Sequence, residues 1–156
     1  MRLRIFTDGS CLNNPGPGGW AAIFNLKEEY EVLSGHEKSA TNNRMELKAV
    51  ACALGHIKNL DSVNDEIEII SDSAYVINSL TKGWIEKWKA NGWKTSTGKQ
   101  VKNIELWLQV LDELEKLKEE GTQVMFTKVK GHNGNTFNEL ADKEAVRESN
   151  IAKEMD

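Results

Sequence analysis

The sequence predicts an α/β protein: a mixed sheet of five strands with helices packed against it. Three observations predict it. Three β-like runs joined by short polar connections occupy residues 2–38. The periodicity then changes to that of a helix. From there β-like and helical segments alternate toward the C-terminus.

Residues 2–8 (RLRIFTD) alternate as a strand, with Leu3 and Ile5 on one face and Phe6 and Asp8 on the other. Residues 18–26 (GGWAAIFNL) read as a second strand and 30–38 (YEVLSGHEK) as a third. The three form an antiparallel meander. From Asn43 on, Leu47, Val50, Ala51, Leu54 and Ile57 recur at helical spacing. A polar loop then leads to Glu66–Asp72 (EIEIISD), a compact β-rich run. A helical crossover places this fourth strand parallel to one already in the sheet. Ser73–Leu80 is a short helix. Residues 82–102 (KGWIEKWKANGWKTSTGKQVK) stand apart as a basic protrusion bearing tryptophans. Ile104, Trp107, Leu108, Leu111, Leu114 and Leu117 line a long amphipathic helix that Gly121 ends. Thr122–Val129 is the fifth strand. Asn138–Ala152 is the last helix, packed by Leu140, Ala141 and Ala145, and the terminal SNIAKEMD is expected to fray.

A chain of 156 residues fits one domain, over 1–156, with a real core. With 20 Lys+Arg against 24 Asp+Glu the net charge is −4, which argues against binding nucleic acid through bulk charge. The protrusion escapes that argument. It holds six lysines and one glutamate, a local charge of +5. Cys11 and Cys52 form no disulfide framework, so a reducing cytoplasm is the expected location. The N-terminus lacks the apolar region of a signal peptide, and no run is long enough to cross a bilayer.

Four acids stand out by position. Asp8 ends the first strand and Asp72 the fourth. Glu46 lies in the first turns of the first long helix. Asp142 shares a helix face with Asn138, four residues earlier. Each has an ordinary alternative: Glu46 closing a capping box with Asn43, Asp72 capping the helix at Ser73, Asp142 as a solvated helix residue. Taken together, the acids point elsewhere. Ligand sites in open α/β sheets lie beyond the carboxyl ends of parallel strands. If the first and fourth strands are adjacent, Asp8 and Asp72 end side by side and repel. A divalent cation relieves that repulsion. A donor set of hard oxygens selects Mg²⁺ or Mn²⁺ over Zn²⁺. Glu46 and Asp142 would complete a site with room for two ions about 4 Å apart.

The segments TDGSCLNNPGPGGWA, TNNRMEL, SDSAYV, GWIEKWKANGWKT, VKNIELW and VKGHNGNTFNELADKEA occur in this order along most of the chain. Together they resemble the ribonuclease H type 1 family. The resemblance implies a ribonuclease H-like fold with strand order 3-2-1-4-5. It also implies an endonuclease that hydrolyses the RNA strand of RNA–DNA hybrids with two Mg²⁺ ions, leaving 5′-phosphate and 3′-hydroxyl ends. The family's four metal-binding acids fall on Asp8, Glu46, Asp72 and Asp142, with Asp8 expected as the shared ligand. The family histidine falls on His132, in KGHNGN, and is assigned to proton transfer or product release. His36 and His56 lack that context and are expected to be structural.

Recognition of RNA means reading its 2′-hydroxyl. The resemblance assigns this to the Cys11–Asn14 turn, held by Pro15 and Pro17, and to Asn42 and Asn43. Gly16, Gly18 and Gly19 are expected to let substrate approach closely. Position 74 is often a polar residue in the family, such as Gln, and here it is Ala74. For the DNA strand, Thr41 and Asn103, with Arg44 nearby, would hold a phosphate. Trp84 and Trp93 would line a channel, while Trp84 and Trp88 are also expected to be partly core. The expected protein is a monomer bound to no membrane. Two alternatives are a hybrid-binding module that does not cut, and a broader nuclease or transposase-like relative. The presence of all four acids argues against the first, and the basic tryptophan protrusion against the second.

Overall fold

A computed structural model of the protein describes residues 2–60, 65–130 and 135–155. Strands β1 (Arg2–Cys11), β2 (Gly16–Asn25) and β3 (Tyr30–Ala40) form the antiparallel meander. Helix α1 (Asn42–His56) crosses to β4 (Glu66–Ser71), which pairs parallel to β1. Helices α2 (Ala74–Thr81), α3 (Trp84–Ala90) and α4 (Ile104–Glu119) precede β5 (Gln123–Lys128), parallel to β4. Helix α5 (Thr136–Lys153) follows. The sheet order is β3-β2-β1-β4-β5, as the resemblance implies.

The alternation in β1 decides which core each side chain joins. Leu3 and Ile5 enter the larger core with Phe24, Leu54, Ile67 and Ile69, closed by Trp107 and Val110 of α4. Phe6 enters a smaller one with Ile23, Ile70 and Ala141 under α5. Helices therefore cover both sheet faces, and the crossover connections carry the chain between them.

Several boundaries differ from the sequence reading. Strand β1 runs on to Cys11 and β2 starts at Gly16, so the meander's first turn is tighter than expected. Helix α5 continues to Lys153, because Ser149 and Ala152 are buried against the sheet and hold the segment expected to fray. The protrusion contains α3, anchored to the main core by Ile85 and Val101. Trp88 and Trp93 carry the aromatic packing here, with ring centroids 5.7 Å from Trp88 to Trp107 and 6.5 Å from Trp88 to Trp93. Trp84 is instead 37 % exposed, since Ile85 takes the buried face of that short helix.

Two glycines permit backbone-to-backbone contact. A Cβ on Gly9 would lie 2.4 Å from the Glu46 nitrogen, and one on Gly19 would lie 2.2 Å from the Ala145 carbonyl oxygen. Gly18 lies against the Met45 side chain. The close approach expected for substrate at Gly18 and Gly19 is thus taken up by the protein's own helices. Gly9→Ala is expected to lower stability by about 1–3 kcal/mol, because neither backbone can yield without moving α1 off β1. A fall in the urea midpoint at unchanged m-value would show it.

Candidate active site

The parallel ladder between β1 and β4 pairs Phe6 with Ile70. Two residues further on, the same sheet face receives Asp8 from one strand and Asp72 from the other. Asp8 accepts a hydrogen bond from the Gly9 amide at 2.9 Å. Helix α1 delivers Glu46 to the same place, because Gly9 lets its backbone reach the end of β1.

Capping, the ordinary alternative, uses other residues. The N-cap of α1 is Thr41, whose Oγ1 accepts from the Arg44 amide at 3.1 Å, so Asn43 and Glu46 form no capping box. The N-cap of α2 is Ser73, whose Oγ accepts from the Val76 amide at 3.2 Å. Glu46 and Asp72 are left to each other and to Asp8. Ligand oxygens of Asp8, Glu46 and Asp72 all lie within 4.8 Å of one another.

Such crowding is electrostatically costly. Burial first, and then the Asp72 charge, pushes Asp8 up to about 7. Burial, with the charges of Asp8 and Asp72, pushes Glu46 well above the usual carboxylate range. Glu46 Oε1 and the neighbouring Thr7 Oγ1 are buried side-chain atoms without a hydrogen-bond partner among the described residues. A glutamate with one buried oxygen lacking a donor, its side chain grouped with two further carboxylates, fits a hard divalent cation.

Asp142 lines the same open cleft as Asp8 and Asp72, and its charge also raises Asp8. Among the described residues, the tight group holds Asp8, Glu46 and Asp72, with Asp142 beyond it. The seat of α5 on Gly19 sets where Asp142 stands. His132 lies outside the described residues. Lys130 and Glu139 also line the cleft and were not singled out from the sequence. Lys130 lies just past the end of β5, as Asp72 does past β4, and that strand-end position was the available signal.

The expected substrate contacts divide into two groups. At the hairpin, the Cys11 Sγ lies within hydrogen-bonding distance of the carbonyls of Gly16 (3.3 Å) and Ala40 (3.1 Å), which share its one proton, and burial pushes its pKa up. Asn14 Oδ1 accepts from the Asn42 amide at 3.0 Å, tying the hairpin to the start of α1. Asn42 and Asn43 are exposed beside it. On the other side of α1, Asn103 adopts a left-handed conformation (φ 61°) before α4. Its amide donates to the Tyr75 hydroxyl at 3.4 Å and its Oδ1 accepts from Arg44 at 3.5 Å. Arg44 thus meets both expected partners, Thr41 through its backbone amide and Asn103 through its guanidinium. In the protrusion, Trp84, Lys87, Trp88 and Lys94 border a second cleft, and Trp93 backs Trp88. His36 and His56 are held by Glu148 and Glu31 respectively, consistent with structural roles. Ala74 is exposed at the start of α2.

An open mixed sheet that gathers acids just past the β1–β4 parallel ladder, Asp8 from within β1 and Asp72 from beyond β4, defines an α/β protein with a carboxylate-lined cleft. The RNase H family model matches residues 1–150. Ribonuclease H of Acetivibrio thermocellus is 46% identical over 147 residues, covering 94% of each chain. Ribonuclease H of Thermus thermophilus is 43% identical over 150 residues, covering 95% of this chain and 84% of that one. This chain belongs to the ribonuclease H family. Among solved structures, LC9-RNase H1, described as a type 1 RNase H with the type 2 active-site motif, superposes with TM-score 0.79. It is 26% identical, and the match covers 97% of this chain and 73% of that one. LC11-RNase H1, solved in complex with RNA/DNA hybrid, shares the fold with TM-score 0.68 at 19% identity, covering 96% of this chain and 98% of that one.

The raised Asp8 pKa carries a stability consequence with a definite sign. The native state holds the Asp8 proton more tightly than the unfolded chain. Metal-free stability from this group is therefore full below about pH 4 and lost as pH rises through about 7. Asp8→Asn is expected to raise the metal-free melting temperature at pH 8, by the equivalent of about 1–3 kcal/mol, and to change it little at pH 4. Calorimetry in EDTA at the two pH values checks this.

Proposed function

We propose that this protein hydrolyses the RNA strand of RNA–DNA hybrids, as a cytoplasmic monomer using Mg²⁺, with Mn²⁺ able to substitute. The single observation that carries the reading is the convergence of Asp8, Glu46 and Asp72 around an unpartnered buried oxygen, at the strand ends of a ribonuclease H fold. Relatives that bear the ribonuclease H name at over 40% identity support it, as does a neighbour of the same fold solved with a hybrid.

In this reading Asp8, Glu46, Asp72 and Asp142 would hold two divalent cations, with Asp8 the ligand common to both. When bound, the cations supply Lewis-acid activation of water and neutralise charge at the departing 3′ oxygen. The side chains do the positioning. Glu46 and Asp8 are fixed by the packing at Gly9, while Asp142 faces them from α5. His132 moves the proton or assists product release, and the products carry 5′-phosphate and 3′-hydroxyl ends. The backbone at Cys11, with Asn14, Asn42 and Asn43, reads 2′-hydroxyls along the RNA strand. Thr41 and Asn103 hold a phosphate of the DNA strand, and Trp84 borders its channel beside the lysines of the protrusion, with Trp93 supporting that wall from behind Trp88. Ala74 supplies no side-chain hydrogen bond, a difference of about 1 kcal/mol in affinity.

The test uses labelled RNA–DNA hybrid, double-stranded RNA and double-stranded DNA, each with Mg²⁺ or EDTA. Cutting confined to the RNA of the hybrid, abolished by EDTA and reduced at least about a hundredfold in Asp8→Asn, is expected. Cutting of duplex DNA, or cutting in EDTA, overturns the reading. Hybrid binding without cutting by the unmodified protein identifies a binding module instead.

A further inference from the structure

Arg44 is a cation on the helix that also carries Glu46, two residues earlier and so about 3 Å along the helix axis. A polynucleotide seated at the acid cluster carries other phosphates within one Debye length of it, about 8–10 Å. Arg44 nevertheless offers no free charge. Its Nε and one terminal nitrogen donate to Glu37 at 2.8 and 3.3 Å, and its other terminal nitrogen contacts Glu105 and, at 3.5 Å, Asn103. Glu37 first and Glu105 after it push the Arg44 pKa up. With Lys48 also on Glu37, two cations and two carboxylates leave the cluster neutral.

The two carboxylates are unequal. Glu37 has a side chain only 19% exposed and is held by both Arg44 and Lys48. The Glu105 side chain is 65% exposed, and its ion pair among the described residues is with Arg44. Removing Glu105 would cost little packing and would open the outer edge of the guanidinium. That edge presents the planar N–H geometry that suits a phosphate as well as a carboxylate.

We propose that Glu105 is an internal competitor of substrate for Arg44. The Glu105 carboxylate occupies the guanidinium edge in the free protein, and a backbone phosphate of the hybrid displaces it on binding. Glu105 thereby sets hybrid affinity without touching the reacting atoms. The inference rests on the hybrid-binding reading above. It adds a residue that weakens binding, so that product is released more readily.

The experiment is a double-mutant cycle on hybrid binding in EDTA at low salt: unmodified protein, Glu105→Gln, Arg44→Gln and the double variant. Glu105→Gln is expected to tighten binding about two- to fivefold and to steepen the dependence of log K on log salt by about one phosphate contact. With Mg²⁺ present, KM should fall while kcat does not rise. Most of the tightening should vanish in the Arg44→Gln background. Glu105→Ala, which removes the carboxylate by a second route, should behave as Glu105→Gln does. Tightening that persists in full without Arg44 marks a general charge effect and overturns the proposal. Unchanged or weaker binding by both Glu105 variants makes Glu105 a brace for Arg44 and also overturns it. If the unmodified protein neither binds nor cuts hybrid, the hybrid reading itself has failed. If it does both and the cycle shows no coupling, the competitor alone has failed.

Discussion

The parallel pairing of β1 with β4 is the constraint on which the site depends. Side chains in a parallel ladder keep a common face and a common direction, so strands in register deliver the residues just past their last pair to one place. Phe6 opposite Ile70 leads to Asp8 beside Asp72. A slip of one residue would turn one carboxylate to the opposite face and break the cluster. The hydrophobic pattern resists that slip. Leu3 and Ile5 serve one core and Phe6 the other, so a slip would move every one of them to the wrong side of the sheet.

The acid cluster stores unfavourable electrostatic energy that the fold has to carry. Burial of Glu46 and the crowding of Asp8 with Asp72 oppose the charged forms, which raises both carboxyl pKa values. The Gly9 amide offsets part of this at Asp8, while Glu46 keeps a buried oxygen with no hydrogen-bond partner among the described residues. The rest of the compensation is global: apolar clusters on both sheet faces hold β1, α1 and α5 rigidly enough to keep the carboxylates together. The cationic counterpart lies elsewhere, in the lysines around α3. The negative cluster and the positive patch thus sit on separate elements of the fold. The chain needs no overall positive charge for such a patch.

Much of this was legible in the sequence because it is local. The two-residue period of β1, the helical stripe of α1 and the ending of α4 at Gly121 each follow from a few neighbouring residues. The four acids were legible as a set because strand ends and helix starts are themselves local features. Other assignments depended on packing partners that are distant in the chain. Gly18 and Gly19 read as open backbone for a substrate, yet Met45 and α5 fill that space. Trp84 and Trp88, one turn apart, look equivalent in sequence. Only the position of Trp107 on α4 decides that Trp88 is the one that packs. Arg44 reads as a cation near a phosphate site, and only the tertiary structure shows that β3 and α4 bring Glu37 and Glu105 to it.

By itself the amino-acid sequence determined the order of the elements, the faces they bury and the identity of the acids, because periodicity and turn chemistry act over a few residues. The tertiary structure alone decided which carboxylates meet within 4.8 Å and which stands back across the cleft. It also decided which cations are already neutralised and which glycines are occupied. Those outcomes depend on distances between segments tens of residues apart, and such distances are set only when the sheet register and the helix seats are fixed together.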